Sequence, residues 1–318
     1  MSLIDRIGDT SSTLGGFLAD RLPHASAISA ELAPGLEVLP TLRPVEDAPH
    51  VLLAKAILYR VRFHLAAPPA RTLPAWQFAL RLGLSPGIQD TSLFEELFDQ
   101  LDTFLERIEP AGRRLELRNE EKLTRFCLVL ARLETLGRTL AEAGRWPPGA
   151  AELVTDLRTD SALDSLPDCW LQDVQAVSRS FHATRYLLSA QLVDIQPHLA
   201  GDDAAGAEED DLISGSRLVA VHSTTFPALP EAWILRLVCR ALLDLEDERG
   251  LTSVAVYLAR QGHLLSWNLE ELVGRLSAGG TTVADLRHDL GHLLATTAQR
   301  RRLSRLFRRR PRVSKSTH

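Results

Sequence analysis

Residues 211–225, DLISGSRLVAVHSTT, constrain the fold more than any other stretch, because they read as two strands joined by a tight turn. Ser214, Gly215 and Ser216 are turn formers, and the β-rich run 217–223 follows them. Side chains alternate along a strand, so Ala220 and His222 share a face, beside the acidic residue Asp211 that leads the first strand. A second β-rich run, TSVAVYLAR at 252–260, is turned by Gln261, Gly262 and His263 into a short return strand ending at Trp267. Between the two pairs the spacing predicts a helix over 229–249, closed by Gly250. Asn268 is placed to cap the helix NLEELVGRL, and a last helix is expected over roughly 282–299.

Upstream the pattern is helical. VLLAKAILYRVRFHLA, residues 51–66, is apolar on nearly every side, interrupted only by Lys55, Arg60, Arg62 and His64, and so predicts a central helix ending before Pro68 and Pro69. Thr91 or Ser92 can cap a helix whose apolar face is Phe94, Leu97, Phe98, Leu101, Phe104 and Leu105. Asn119 precedes a long helix that stops at Gly144, ahead of Trp146, Pro147 and Pro148. Helical pattern continues over 150–158 and 168–190, with a polar break at 159–167. Pro23, Pro34, Pro40, Pro44 and Pro49 predict an extended approach segment over most of the first fifty residues. Four segments result: 1–49, extended and proline-rich; 50–190, helical; 191–295, an α/β core; and 296–318, a basic tail expected to be disordered. The fold class is α+β, helix-rich with a small mixed β-sheet.

A chain of 318 residues with 45% hydrophobic content is long enough to bury a substantial core. Cys127, Cys169 and Cys239 lie far apart with no CxxC pair, which predicts free thiols rather than a disulfide framework or a cysteine zinc site. The amino terminus carries acids early and lacks the pattern of a signal peptide, and no apolar run reaches membrane-spanning length, so the expected location is cytoplasmic. The formal charge is −5, yet residues 296–318 hold no acid and nine basic residues, which leaves −14 for the remainder. A body so acidic repels phosphate. Contact with DNA or RNA is therefore expected to run through the tail, by Arg300, Arg301, Arg302, Arg305, Arg308, Arg309, Arg310 and Arg312.

The order of hairpin, helix and strand, with Glu209 and Asp211 ahead of the turn, resembles the PD-(D/E)XK superfamily, the restriction-endonuclease-like nucleases, and more particularly RecB-type, helix-rich actinobacterial members. The stretch LLDLEDERGLTSVAVYLARQGHLLSW at 242–267 carries the closest likeness. AKAILYRVR at 54–62 is similar to the first core helix, Gln196 and Pro197 to the short motif before the acidic strand, and Thr224 and Thr225 to a Thr-Thr pair after the second strand. The resemblance implies an acid on one strand and an acid-x-lysine triplet on the next, where two carboxylates hold Mg²⁺ and the lysine stabilises developing charge. Here Ala220 and His222 stand where the second acid and the lysine belong. A glutamine and a tyrosine expected on the following helix are replaced by Arg236 and Arg240. Removing a metal ligand abolishes two-carboxylate chemistry, so the expectation is a degenerate member that needs no cofactor and acts as a nucleic-acid-associated binding or interaction module.

Two rival readings remain open. Glu209, Asp211 and His222 could bind Mn²⁺ or Mg²⁺ and keep a live nuclease, or the chain could be a helical protein-interaction module with no nucleic-acid role. His288 and His292 have the spacing of a two-histidine metal site with Asp285 and Asp289 nearby, but Leu286, Leu290 and Leu293 read as an ordinary amphipathic helix.

Overall fold

A computed structural model of the chain describes residues 3–44, 49–85, 88–144, 149–158, 161–188, 193–195, 197–202, 211–226 and 228–308. The helices of the first half are α1 (Leu3–Gly8), α2 (Thr13–Arg21), α3 (Ala25–Glu37), α4 (His50–Ala66), α5 (Pro74–Gly83), α6 (Ser92–Ile108), α7 (Leu117–Ala143), α8 (Ala150–Arg158) and α9 (Asp168–Thr184). Then follow β1 (Val193–Asp194), β2 (Asp211–Ser214), β3 (Arg217–His222), α10 (Glu231–Leu242), β4 (Ser253–Leu258), β5 (His263–Asn268), α11 (Leu269–Leu276) and α12 (Val283–Arg308). The molecule is helix-rich with one small mixed sheet, an α+β arrangement.

The five strands lie in sequence order. β2 and β3 form the antiparallel hairpin, with Gly215 at φ 63° supplying the left-handed turn residue. β3 and β4 are parallel, so the chain must cross over between them, and α10 makes that crossing. β5 returns antiparallel to β4, and the Asn268 side chain caps α11 by accepting from the Glu271 N–H.

Alternation along the strands gives the sheet two buried faces. Leu212, Val219, Ala255 and Tyr257 belong to a core shared with α4 to α9, whereas Ile213, Leu218, Ala220, Val254, Val256 and Leu258 belong to one shared with α1 to α3 and α10 to α12. The sheet is thus the middle of three layers, which suits strands reading as near-continuous apolar runs. In the helical layer Gly137 lets α5 cross α7 closely: a Cβ there would lie 2.5 Å from Phe78 Cβ.

Residues 3–44 depart from the extended segment expected of them. Ser12 caps α2 by accepting from the Gly15 N–H at 2.9 Å, and Leu3, Ile7, Leu14, Leu18, Ala25, Ile28 and Leu36 are buried. Pro23 precedes α3, and Pro40, Pro44 and Pro49 lie between helices, so only Pro34 interrupts a hydrogen-bond ladder, near the end of α3. Burial of an apolar stripe against α10 outweighs that one lost bond. The helix expected over 229–249 ends at Leu242, where the Asp244 carboxylate accepts from the Arg249 N–H and closes a turn instead. The last helix runs on to Arg308, past the expected end at 299, so part of the basic tail is helical; residues 309–318 are outside the described residues. α5, opened by Pro74 at its first turn, was not foreseen.

Candidate functional site: a carboxylate clamped by two arginines

The register sets Asp211 directly opposite Ala220, and His222 follows two residues further along β3 on the same face. Residues 211, 220 and 222 therefore converge, as the hairpin reading required. Glu209 lies outside the described residues, as does Gln196.

What faces Asp211 is α10. Its carboxylate is 1% exposed and accepts from three guanidinium nitrogens. Arg236 Nη1 donates to Oδ1 at 2.9 Å, Arg236 Nη2 to Oδ2 at 3.3 Å, and Arg240 Nε to Oδ2 at 2.8 Å. Arg240, fully buried, also binds Asp202. The spacing of 236 and 240 puts both guanidinium groups on one face of α10, aimed at the end of β2. Two carboxylates and two guanidinium groups close a compact buried network, with paired charges whose lone pairs are taken by donors.

This donor set does not fit the Mg²⁺ that the nuclease resemblance implies. Ala220 offers no oxygen, both oxygens of Asp211 are engaged, and two guanidinium charges stand where a dication would need to approach. Among the described residues, no cluster of three or more His, Cys, Asp or Glu side chains could hold a metal ion. His288 and His292 are exposed with ring centroids 4.7 Å apart, but Asp285 is engaged by Thr282 and Asp289 by Arg21.

Beside the clamp lies a cavity of about 650 Å³, walled by α1, α4, the 223–226 loop and the start of α10. Lys55 lines it but is tied to Glu134 at 2.5 Å. Val51 and Phe226, 66% and 77% exposed, stand among its lining residues. His222 packs edge-on against Trp233, and its Nε2 has no hydrogen-bond partner, nor does Ser223 Oγ. Burial, with the Arg236 charge beside it and Asp211 opposing only in part, pushes the His222 imidazole down to about 4. It is neutral at physiological pH, so it cannot replace the cationic lysine.

That depression has a sign. An unfolded histidine takes its proton near pH 6.5 and the folded one only near 4, so His222 leaves stability whole above about pH 6.5 and subtracts from it as pH falls towards 4. The full loss for this group is about 3 kcal/mol. His64, also held to about 4, adds the same trend. The difference between the parent chain and His222→Gln isolates the first: urea denaturation at about pH 7 and about pH 4.5 should show a smaller loss in the variant. Parallel pH curves would contradict the assignment.

The sequence marked Asp211, Ala220, His222, Arg236 and Arg240, but not Asp202 or Trp233. Asp202 sits in an acid-rich run where nothing distinguishes it from its neighbours. No family model, no curated protein and no solved structure matches the chain.

Proposed function

We propose that this chain is a nuclease-fold protein that has exchanged metal-dependent cleavage for a structural clamp and serves as a nucleic-acid-associated binding module. The single observation that carries the reading is Asp211, buried opposite Ala220 and bound by Arg236 and Arg240. A guanidinium has taken the cation's part: the charge balance of the old site survives, and its Lewis acid does not. The strand order supports the same ancestry, since an antiparallel hairpin, a crossover helix and a parallel strand follow one another as the resemblance requires.

Attachment to DNA or RNA is assigned to the arginine-rich residues 300–312 rather than to the cleft, where exposed Val51 and Phe226 offer apolar surface that does not suit a phosphate backbone. No helix among the described residues is long and apolar enough to cross a membrane.

Two assays test this reading. Incubation with labelled DNA or RNA and Mg²⁺ or Mn²⁺ should give no cleavage, and cleavage that disappears in Asp211→Ala would overturn the proposal in favour of a live nuclease. Gel mobility should show a complex that weakens steeply between about 50 and about 200 mM salt. Replacing Arg300, Arg301, Arg302, Arg305, Arg308, Arg309, Arg310 and Arg312 with glutamine should abolish the complex. Absence of binding at every salt concentration in both proteins would point instead to a protein partner.

A further inference from the structure

On the helical side of the sheet, a cavity of about 310 Å³ opens between α4, the loop joining α6 to α7, and α9. Its volume lies at the lower end of the range for small-molecule pockets. Arg60 and His64, one turn apart on α4, line it at only 3% and 2% exposure. Arg60 holds Glu120 in a fork, through Nε at 2.9 Å and Nη2 at 2.6 Å, and Ser178 Oγ donates to the same carboxylate at 2.9 Å. The remaining nitrogen, Arg60 Nη1, has no partner; neither have His64 Nε2 and His182 Nδ1, whose rings meet edge-on at 5.1 Å. Buried polar nitrogens left without partners are costly: Arg60 Nη1 donates in every state and each imidazole nitrogen donates when it carries a proton, so one ligand bearing several oxygens relieves all three.

The rim continues the theme. Arg114 and Arg179 are exposed and have no ion-pair partner among the described residues, while Arg113 is paired with Glu109 at 2.8 Å. The loop that carries the first of these is fixed in place. Gly112 N–H donates to the His64 carbonyl at 2.7 Å, and Arg185 donates to the Gly112 carbonyl. The first turn of α7 supplies Leu117 and Glu120 to the wall, and no side chain caps it, which adds the positive end of a long helix. Glu120 is the only acid lining the cavity among the described residues, and both of its oxygens are already bonded by Arg60 and Ser178. Leu115, Leu117 and Ala183 provide an apolar side for an organic group.

We propose that this cavity binds a small phosphomonoester, its phosphoryl oxygens taken by Arg60, Arg114 and Arg179 with His64 and His182 as additional donors. Arginine forks suit a tetrahedral anion with several oxygens, and a cavity of this size takes one small molecule rather than a length of polymer. Both histidines are held towards the neutral form when the site is empty. Burial lowers His64 to about 4, reinforced by Arg60, His182 and Arg185 and opposed by Glu120; His182 is lowered by its own burial and by Arg185, Arg114 and Arg60, against Glu120. A dianion seated between them pulls protons onto the pair, so binding takes up protons.

The test is isothermal titration of the full chain with adenosine 5′-monophosphate, glucose 6-phosphate, phosphoserine and inorganic phosphate, alongside adenosine, glucose and serine. At least one monoester should bind at least tenfold tighter than its dephosphorylated counterpart and tighter than inorganic phosphate, with proton uptake seen between two buffers of different ionisation enthalpy near pH 6.5. The exposed pair Arg114→Ala and Arg179→Ala should weaken that ligand at least tenfold with the melting temperature unchanged, which separates loss of binding from loss of folding. Failure of every monoester, equal affinity for phosphorylated and plain compounds, or indifference to the paired substitution overturns the proposal. An oligonucleotide that binds this site more tightly than any monoester, and is lost with the same pair, overturns it in favour of a strand. Neither result bears on the Asp211 clamp, which lies on the opposite face of the sheet.

Discussion

Asp211→Ala should destabilise the protein by about 3 kcal/mol, read as a lower urea midpoint at unchanged slope. The substitution takes a buried carboxylate from two cations. Arg236 loses the carboxylate that both its terminal nitrogens bind, and Arg240, fully buried, retains Asp202 but loses its second acid. Removing one partner of a buried pair costs more than the pair contributes, because the survivor stays desolvated. The sign is what matters. A carboxylate kept for a metal commonly costs stability when the metal is absent, so its removal leaves stability level or raises it. Stability unchanged or raised in Asp211→Ala, together with loss of a cleavage activity, would return the site to the enzymes.

A second large effect is expected at Asp173→Ala. Arg260, two residues beyond β4, donates to Asp173 of α9 through both terminal nitrogens, at 2.8 and 2.7 Å, with the two side chains 2% and 4% exposed. The same arginine reaches the Leu42 carbonyl, and the Leu42 N–H donates to the Arg260 carbonyl at 3.0 Å, so helix, sheet and amino-terminal segment meet at one residue. Loss of the acid should cost about 3–5 kcal/mol in chemical denaturation. The double variant Asp173→Leu with Arg260→Met should recover most of it, since a packed apolar pair has no stranded charge. A double variant as unstable as the single one would show that the ion pair fixes the geometry rather than merely neutralising it.

Legibility in the sequence followed the range of the interactions. The β2–β3 hairpin, β4, β5 and the Asn268 cap were readable because each is written within about ten consecutive residues, by alternation and turn chemistry. α4 was readable from an apolar surface that runs all the way round. The roles of its polar residues were not: Arg60 and Lys55 are buried or half-buried because Glu120 and Glu134 wait 60 and 79 positions away. The amino-terminal helices were not legible because five prolines within fifty residues argue against helix by their number, whereas by their place four of them fall between helices. At the site, Ala220, where the resemblance expects an acid, and the two arginines of α10 could be seen. Their meeting with Asp211, across 25 and 29 positions, and the part played by Asp202 required the fold.

The sheet gives Tyr257 to one core and its neighbours Val256 and Leu258 to the other. Tyr257 packs edge-on against Phe181 and hydrogen-bonds Thr184 at 2.8 Å, so β4 is anchored in the helical layer while its alternate residues anchor the opposite one. Neither half can melt and leave the other a complete wall. The α/β half and the helical half therefore share β4 as a common wall, and a single transition seen alike by far-UV and near-UV circular dichroism is the expected course of denaturation.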